Sequence, residues 1–273
     1  MLTLSEIYIY PIKSLGGIAL KQSFAEDKGL KYDRRMMLVD ETGKFITQKD
    51  YPQLALLKTG LSDNGFVVTD KRNSSSLTIL HEQNTGNKIP VVIWEDICLA
   101  EKVSLEADHF FSDALSIKCS LVRMPESEKR EVDKKKKHIS ESHLVSFADA
   151  YPFLIMGQSS FDDLNSRLQE PVPMDRFRTN FVFTGGEPYC EDNLGNFKIG
   201  DVEFFAAKPC ARCVITTTDQ QTARRNKEPL ATLSKYRNFN NKVMFGMNAV
   251  CKSTGIVTAG DEIKKIKKTI GVL

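Results

Sequence analysis

The sequence predicts a mainly β protein with a few short helices, and three observations carry that reading. Apolar and β-branched residues recur at period two through the first third of the chain. Clusters of Gly, Pro, Asn, Asp and Ser punctuate those runs at every break. Helical periodicity with capping residues occurs only in short stretches. With 273 residues, 41% of them hydrophobic, there is material for one large domain or two small ones, each able to bury a core.

Taken in order, the predicted strands of the first third are Leu4 to Tyr10, Ile18 to Phe24, Met36 to Val39, Leu54 to Leu61, Phe66 to Thr69, Leu77 to Leu80 and Lys88 to Ile93. Between them lie Pro11, Gly16-Gly17, Gly29, Thr42-Gly43, Asp63-Asn64-Gly65, Ser74-Ser75-Ser76 and Thr85-Gly86-Asn87. Regular short strands with such turns favour a barrel or sandwich. A helix follows from Ser104 to Leu115, with Ser104 as cap and Leu105, His109, Phe110 and Leu115 near one face. The charged run from Glu126 to His143 reads as a solvated loop near a domain boundary, and the basic end Lys264 to Lys268 reads the same way.

In the second half, Ser160-Phe-Asp-Asp163 has capping-box spacing ahead of a helix that runs to about Leu168 and stops before Pro171. Strands are expected at Phe181 to Phe183, Phe197 to Ile199, Val202 to Ala207 and Cys213 to Thr218, with a hairpin at Gly200-Asp201. A short helix from Pro229 to Tyr236 precedes strands at Met244 to Cys251 and Thr254 to Val257.

Composition excludes several classes of function. A net charge of +3, from 38 basic and 35 acidic residues, leaves no electrostatic footprint for nucleic acid. Six cysteines are too sparse for a secreted disulfide scaffold. The N-terminus begins an alternating pattern at once, without signal-peptide regions. The longest apolar stretches, such as Ile89 to Trp94, are far shorter than the ~20 residues that cross a bilayer. The expectation is a soluble cytoplasmic protein with reduced thiols.

The sharpest local signal is Lys208-Pro-Cys-Ala-Arg-Cys213. A thioredoxin-type pair wants a helix N-terminus behind the first cysteine, whereas Val-Ile-Thr-Thr-Thr follows here. A zinc knuckle needs two further ligands, and Cys190 and Cys251 are single with no histidine nearby. There remain a single soft thiolate offered to a metal or electrophile, with Lys208 and Arg212 close by, and a pair of cysteines that are simply core. Elsewhere, Tyr10-Pro-Ile-Lys-Ser14 with Gly16-Gly17 could hold an anion at a strand break, and Asp33-Arg34-Arg35 and Arg176-Phe-Arg178-Thr-Asn180 could fork guanidinium groups onto phosphate. Each alone could equally be a surface ion pair. There is no P-loop or G-x-G-x-x-G, and the four histidines lack metal or serine-hydrolase spacing.

In order and spacing, Tyr10-Pro-Ile-Lys-Ser14, Asp33-Arg34-Arg35 with Leu38-Val39-Asp40, Asp149 with Pro152-Phe-Leu-Ile155, Asp163-Leu-Asn-Ser-Arg-Leu168, Arg176-Phe-Arg178-Thr-Asn180, Ile199-Gly-Asp201 and Cys210-Ala-Arg-Cys213 resemble the MOSC family. The branch they resemble holds the mitochondrial amidoxime-reducing components and their bacterial YcbX-like relatives. Thr179 stands where many members carry proline, and Met36 and Met37 where a tryptophan is common.

The resemblance implies an N-terminal β-barrel domain, residues 1–122, followed by a MOSC β-barrel domain, residues 123–273. It also implies a molybdenum cofactor, with Cys213 as the metal ligand; a thiolate complements the cofactor's own dithiolene sulfurs. Lys13, Ser14, Arg34 and Arg178 would meet the pterin's phosphate. Asp149, Ala150, Tyr151, Asn180, Ala211, Arg212 and Asn248 stand at further contact positions. The implied chemistry is two-electron reduction of N-hydroxylated compounds such as amidoximes, hydroxylamines and N-hydroxylated bases. The sequence runs to Leu273 without the C-terminal ferredoxin cysteines of YcbX-like members, so electrons would come from a separate redox protein, by analogy a ferredoxin or a b-type cytochrome with a flavin reductase. Two alternatives remain: a sulfur carrier or sulfurtransferase with a persulfide on Cys210 or Cys213, and a carrier that holds the cofactor without turnover.

Overall fold

The computed structural model describes residues 1–132 and 142–266. Part of the charged run that begins at Glu126, and the basic end from residue 267, lie outside the described residues. The architecture is mainly β. Seven strands close into a barrel in the order Phe153–Gly157, Phe181–Thr184, Leu2–Ile9, Glu262–Lys265, Asn196–Ile199, Val202–Ala211, Lys242–Cys251, and the last pairs back onto the first. The N-terminal strand therefore sits in a barrel whose other six strands come from residue 153 onward. It pairs through Leu4 with Phe183 and through Leu2 with Ile263. Inside, Phe153, Phe181, Phe197 and Phe204 are buried and pack ring to ring, with centroids 5.2–5.6 Å apart. Aromatic contacts of this kind add to the area they bury.

Residues between the first barrel strand and residue 123 form smaller sheets. One has four strands, Met36–Asp40, Cys119–Arg123, Asp96–Lys102 and Lys88–Ile93, and its apolar face buries Met37, Val39, Val91, Ile93 and Phe147. Another has three, Leu57–Ser62, Gly65–Asp70 and Ser76–Leu80, whose inward residues Leu57, Phe66, Val68, Leu77 and Ile79 join the main core. The third pairs Gln22–Glu26 with Gly29–Leu30 and with Gly255–Thr258.

Several sequence expectations need correction. The helix Leu105–Leu115 is capped by Ser104, whose hydroxyl accepts from the Ala107 N–H, but its buried face is Ala107, Asp108, Phe111 and Leu115; Leu105 and His109 face solvent. The run expected as one strand from Leu54 begins as a 3₁₀ turn, Pro52–Leu56, because Pro52 sets its first turn. The helix expected from Ser160 spans Gln158–Ser166, and the Ser160 hydroxyl donates instead to Glu191 Oε2 at 2.8 Å. The strand expected from Cys213 to Thr218 is a 3₁₀ turn, Val214–Thr217. Its threonines bond backward, Thr216 Oγ1 to the Cys213 carbonyl at 3.0 Å and Thr217 Oγ1 to the Val214 carbonyl at 2.8 Å, which outweighs their β propensity. The strands Asp96–Lys102, Cys119–Arg123, Phe153–Gly157 and Glu262–Lys265 were not foreseen.

Candidate functional site

The end of the N-terminal strand brings four loops together. Tyr10 N–H donates to Asp33 Oδ1 at 2.8 Å, Arg34 N–H to the Tyr10 carbonyl, Lys13 N–H to the Met36 carbonyl, and Phe147 N–H to the Arg34 carbonyl. These bonds stitch Tyr10–Ser14, Asp33–Arg35 and Phe147–Asp149 into one floor, onto which Arg178–Asn180 folds. Asn180 is its rivet: its amide donates to the Tyr8 carbonyl at 3.1 Å, while Oδ1 accepts from Leu154 N–H and from Arg34 Nη1.

Three cations stand on that floor. Lys13 is buried, donating to the Phe147 carbonyl at 2.8 Å and to Asp149 Oδ1 at 2.5 Å. Burial pushes its pKa down while Asp149 opposes the shift. The walls of the site partly desolvate the Asp149 carboxyl, although its side chain is 58% exposed, but the Lys13 ammonium outweighs this and holds that carboxyl down at about 2. Arg34 pairs with the buried Asp33 at 2.5 Å. Arg178 has no ion pair among the described residues; its Nη1 donates to the Leu15 carbonyl at 2.6 Å, and its Nη2, shut off from solvent, has no acceptor. Burial and the neighbouring Arg34 lower its pKa to about 10.

Both guanidinium groups lie over the Tyr10 ring, Arg34 at 4.7 Å and Arg178 at 4.3 Å from its centroid. Gly17 makes that ring's position possible, since a Cβ there would fall 2.5 Å from Tyr10 Cε1. The glycine read as open backbone for an anion thus serves as a bed for Tyr10. Ser14, Arg34 and Arg178 all have positive φ, at 70°, 50° and 54°. Non-glycine residues in that region are uncommon and tend to gather at functional sites.

Cys213 is delivered by a different strand of the barrel. The strand Val202–Ala211 bulges twice against Lys242–Cys251, so that Lys208 opposes Asn248, and it ends at Ala211. Arg212 then turns inward, giving Nη2 to the Phe177 carbonyl at 2.6 Å and Nη1 to Cys210 Sγ at 3.1 Å. Its guanidinium therefore serves Cys210, not the second thiol. Cys213 is exposed at the start of the Val214–Thr217 turn, which packs on the Met174–Phe177 turn that leads into Arg178. Lys208 lies 5.6 Å from the buried Tyr151 ring, next to Ala150 and Asp149. The other ion pairs divide plainly: Arg35 with Glu26 at 2.5 Å and Arg176 with Asp219 at 2.8 Å are structural.

Sequence reasoning passed over Arg130. It is buried and donates to the Ser146, Ala148 and Asp149 carbonyls while pairing with Asp96, so it shapes the loop that carries Asp149. It lay inside a run read only as solvated charge. Among the described residues no three His, Cys, Asp or Glu side chains gather as a metal site. A metal held here would need most of its donors from a cofactor, with one thiolate from the chain.

No helix among the described residues is long and apolar enough to cross a membrane. Residues 1–118 match the MOSC N-terminal beta barrel domain, and residues 142–264 match the MOSC domain. The chain is 30% identical to rat mitochondrial amidoxime reducing component 2 over 282 residues, covering 97% of this chain and 83% of that protein. It is 28% identical to mouse mitochondrial amidoxime-reducing component 1, covering 96% and 81%. It is also 30% identical to the molybdenum cofactor sulfurase of Arabidopsis thaliana, over 89% of this chain but 32% of that protein. Matched along nearly its whole length by the two domain models and by these relatives, the chain is a member of the MOSC family and a relative of the mitochondrial amidoxime-reducing components.

Proposed function

We propose that this chain is a molybdenum-cofactor-dependent oxidoreductase that reduces N-hydroxylated compounds in the cytoplasm, with electrons from a separate redox protein. The observation that carries the reading is Arg178: a desolvated guanidinium pressed against Arg34, without a carboxylate partner and with Nη2 unbonded. An uncompensated cation in that state is costly unless an anion joins it, and the cofactor's phosphate is such an anion. Lys13, Ser14, Arg34 and Arg178 would hold that phosphate. Asp149, Ala150, Tyr151, Asn180, Ala211, Arg212 and Asn248 would border the pterin, and Cys213 would ligate the metal.

When bound, the cofactor supplies two-electron redox chemistry and removal of an oxygen atom, so that R–NH–OH, two electrons and two protons give R–NH₂ and water. The chain's residues bind and orient. The buried cations fix the anionic end, the ionised Asp149 offers an acceptor, and the exposure of Cys213 leaves its side of the site open to substrate and solvent. The test is elemental analysis of protein from a host that makes the cofactor, together with reduction of a benzamidoxime by artificial electron donors. Stoichiometric molybdenum with turnover supports the reductase; molybdenum without turnover supports the carrier.

A second reading has one observation in its favour. The Cys210 thiol accepts an Arg212 N–H at 3.1 Å, a contact that would also stabilise a persulfide anion. A sulfur carrier of that kind would contain sulfane sulfur and no molybdenum.

A further inference from the structure

Trp94 is the only tryptophan of the chain, and no motif of the site includes it. It lies at the turn between the strands Lys88–Ile93 and Asp96–Lys102 with φ of 55°, a left-handed conformation that suits Gly or Asn and strains a bulky side chain. Its indole Nε1–H donates to Asp149 Oδ1 at 3.3 Å, the oxygen that also accepts from Lys13. Its ring lies 5.0 Å from that of Phe45, and the Lys13 ammonium lies 5.4 Å from the same Phe45 ring. Two aromatic rings thus fence the Lys13–Asp149 pair. Asp149 Oδ2 has no hydrogen bond among the described residues, and the side chain is 58% exposed. Trp94 itself is 54% exposed.

We propose that Trp94 is a positioning residue for the cofactor. Together with Lys13 its N–H immobilises Asp149 Oδ1, which turns Oδ2 toward an N–H donor of the pterin, while the exposed indole face flanks that flat ring. The inference rests on the cofactor reading above. It follows from the division of labour at one carboxylate. One oxygen is saturated by two donors from the chain, and the other is left as an acceptor beside an uncovered aromatic face.

The experiment titrates the full chain, purified without cofactor, with a pterin carrying a monophosphate. Binding is followed both by calorimetry and by Trp94 emission, which reports this position alone. Wild-type emission should change in step with the calorimetric isotherm. Trp94→Phe keeps a ring and loses the N–H; it should weaken binding by about tenfold, the scale of one hydrogen bond to a charged group. Trp94→His, which restores a ring N–H, should recover part of that loss, with thermal unfolding of all three proteins alike. Calorimetric binding with unchanged emission and an unweakened Trp94→Phe variant would overturn the role of Trp94 and leave the cofactor reading standing. A wild type that neither binds the probe nor retains molybdenum when made in a cofactor-competent host would overturn both.

Discussion

Arg34 Nη2 donates to the main-chain carbonyl of Arg178 at 3.0 Å, so the backbone of one arginine tethers the side chain of the other. The two guanidinium groups are thereby held together over Tyr10 although their charges repel. Asp33, paired with Arg34, offsets part of that repulsion and leaves Arg178 the less compensated of the two.

Replacing Arg178 with Met should separate stability from loading. The variant loses a desolvated, unpaired cation, so its melting temperature should hold or rise. Retention of molybdenum through gel filtration should fall at least tenfold, as expected when a charge-assisted contact worth ~1.5–3 kcal/mol is removed. Undiminished metal content would sink the assignment of Arg178 to the phosphate.

Cys213→Ser should abolish metal retention and reductase activity without altering the unfolding curve, because the side chain is exposed. Cys210→Ser should be milder. The thiols should also differ in reactivity: burial pushes Cys98 and Cys119 up to about 11 and Cys251 up to about 12. Mass mapping after brief iodoacetamide treatment near pH 8 should find Cys213 labelled well before those three, since the thiolate is the nucleophile. Equal labelling of buried and exposed thiols would contradict the structure.

Asp149 makes stability depend on acid. Its folded-state pKa, about 2, lies below the ~3.9 of an unfolded chain, so the stabilisation is complete above about pH 4 and fades as pH falls toward 2. Screening of the exposed carboxylate should keep the effect within ~1 kcal/mol. Urea unfolding of wild type and Asp149→Asn should therefore differ by a constant amount between pH 5 and 7 and converge at lower pH. A gap that widened with acid would show the sign to be wrong.

Gly17→Ala tests the bed under Tyr10. The added methyl would meet a buried ring at 2.5 Å, and neither the ring nor the strand end can yield cheaply. A destabilisation of ~1–3 kcal/mol is expected, together with loss of metal retention, since Tyr10 carries both arginines. Wild-type loading in this variant would show that the cations do not depend on the ring.

What the sequence revealed depended on how each element is buried. Strands with one wet face, such as Lys88–Ile93, alternate and were found; Phe153–Gly157 is buried at every residue and therefore has no period to detect. Asp96–Lys102 hid for a related reason, its Ile97, Cys98, Leu99 and Ala100 reading as an unbroken apolar run. Glu262–Lys265 looked like solvated charge because only Ile263 points inward. The candidate site was legible as a set of motifs, since each cluster pairs a strand end with cations. Its organisation was not: that Gly17 beds Tyr10, that Arg212 turns to Cys210, and that Arg130 underlies Asp149 are long-range contacts for which one sequence offers no signal.

The strand Leu2–Ile9 is the first part of the barrel to be synthesised, and it waits for partners nearly two hundred residues away and more. A chain emerging from the ribosome can pair the Ile7–Ile9 end at once with Ile18–Leu20, but the opposite edge stays open until Phe181–Thr184 arrives, and the Leu2–Thr3 end until Glu262–Lys265 does. Closure of the barrel therefore needs almost the whole chain, because Glu262–Lys265 joins Leu2–Ile9 to Asn196–Ile199. A chain stopped short of residue 262 should leave the Leu2–Thr3 end and the strand Asn196–Ile199 without the partner between them, an open edge prone to association.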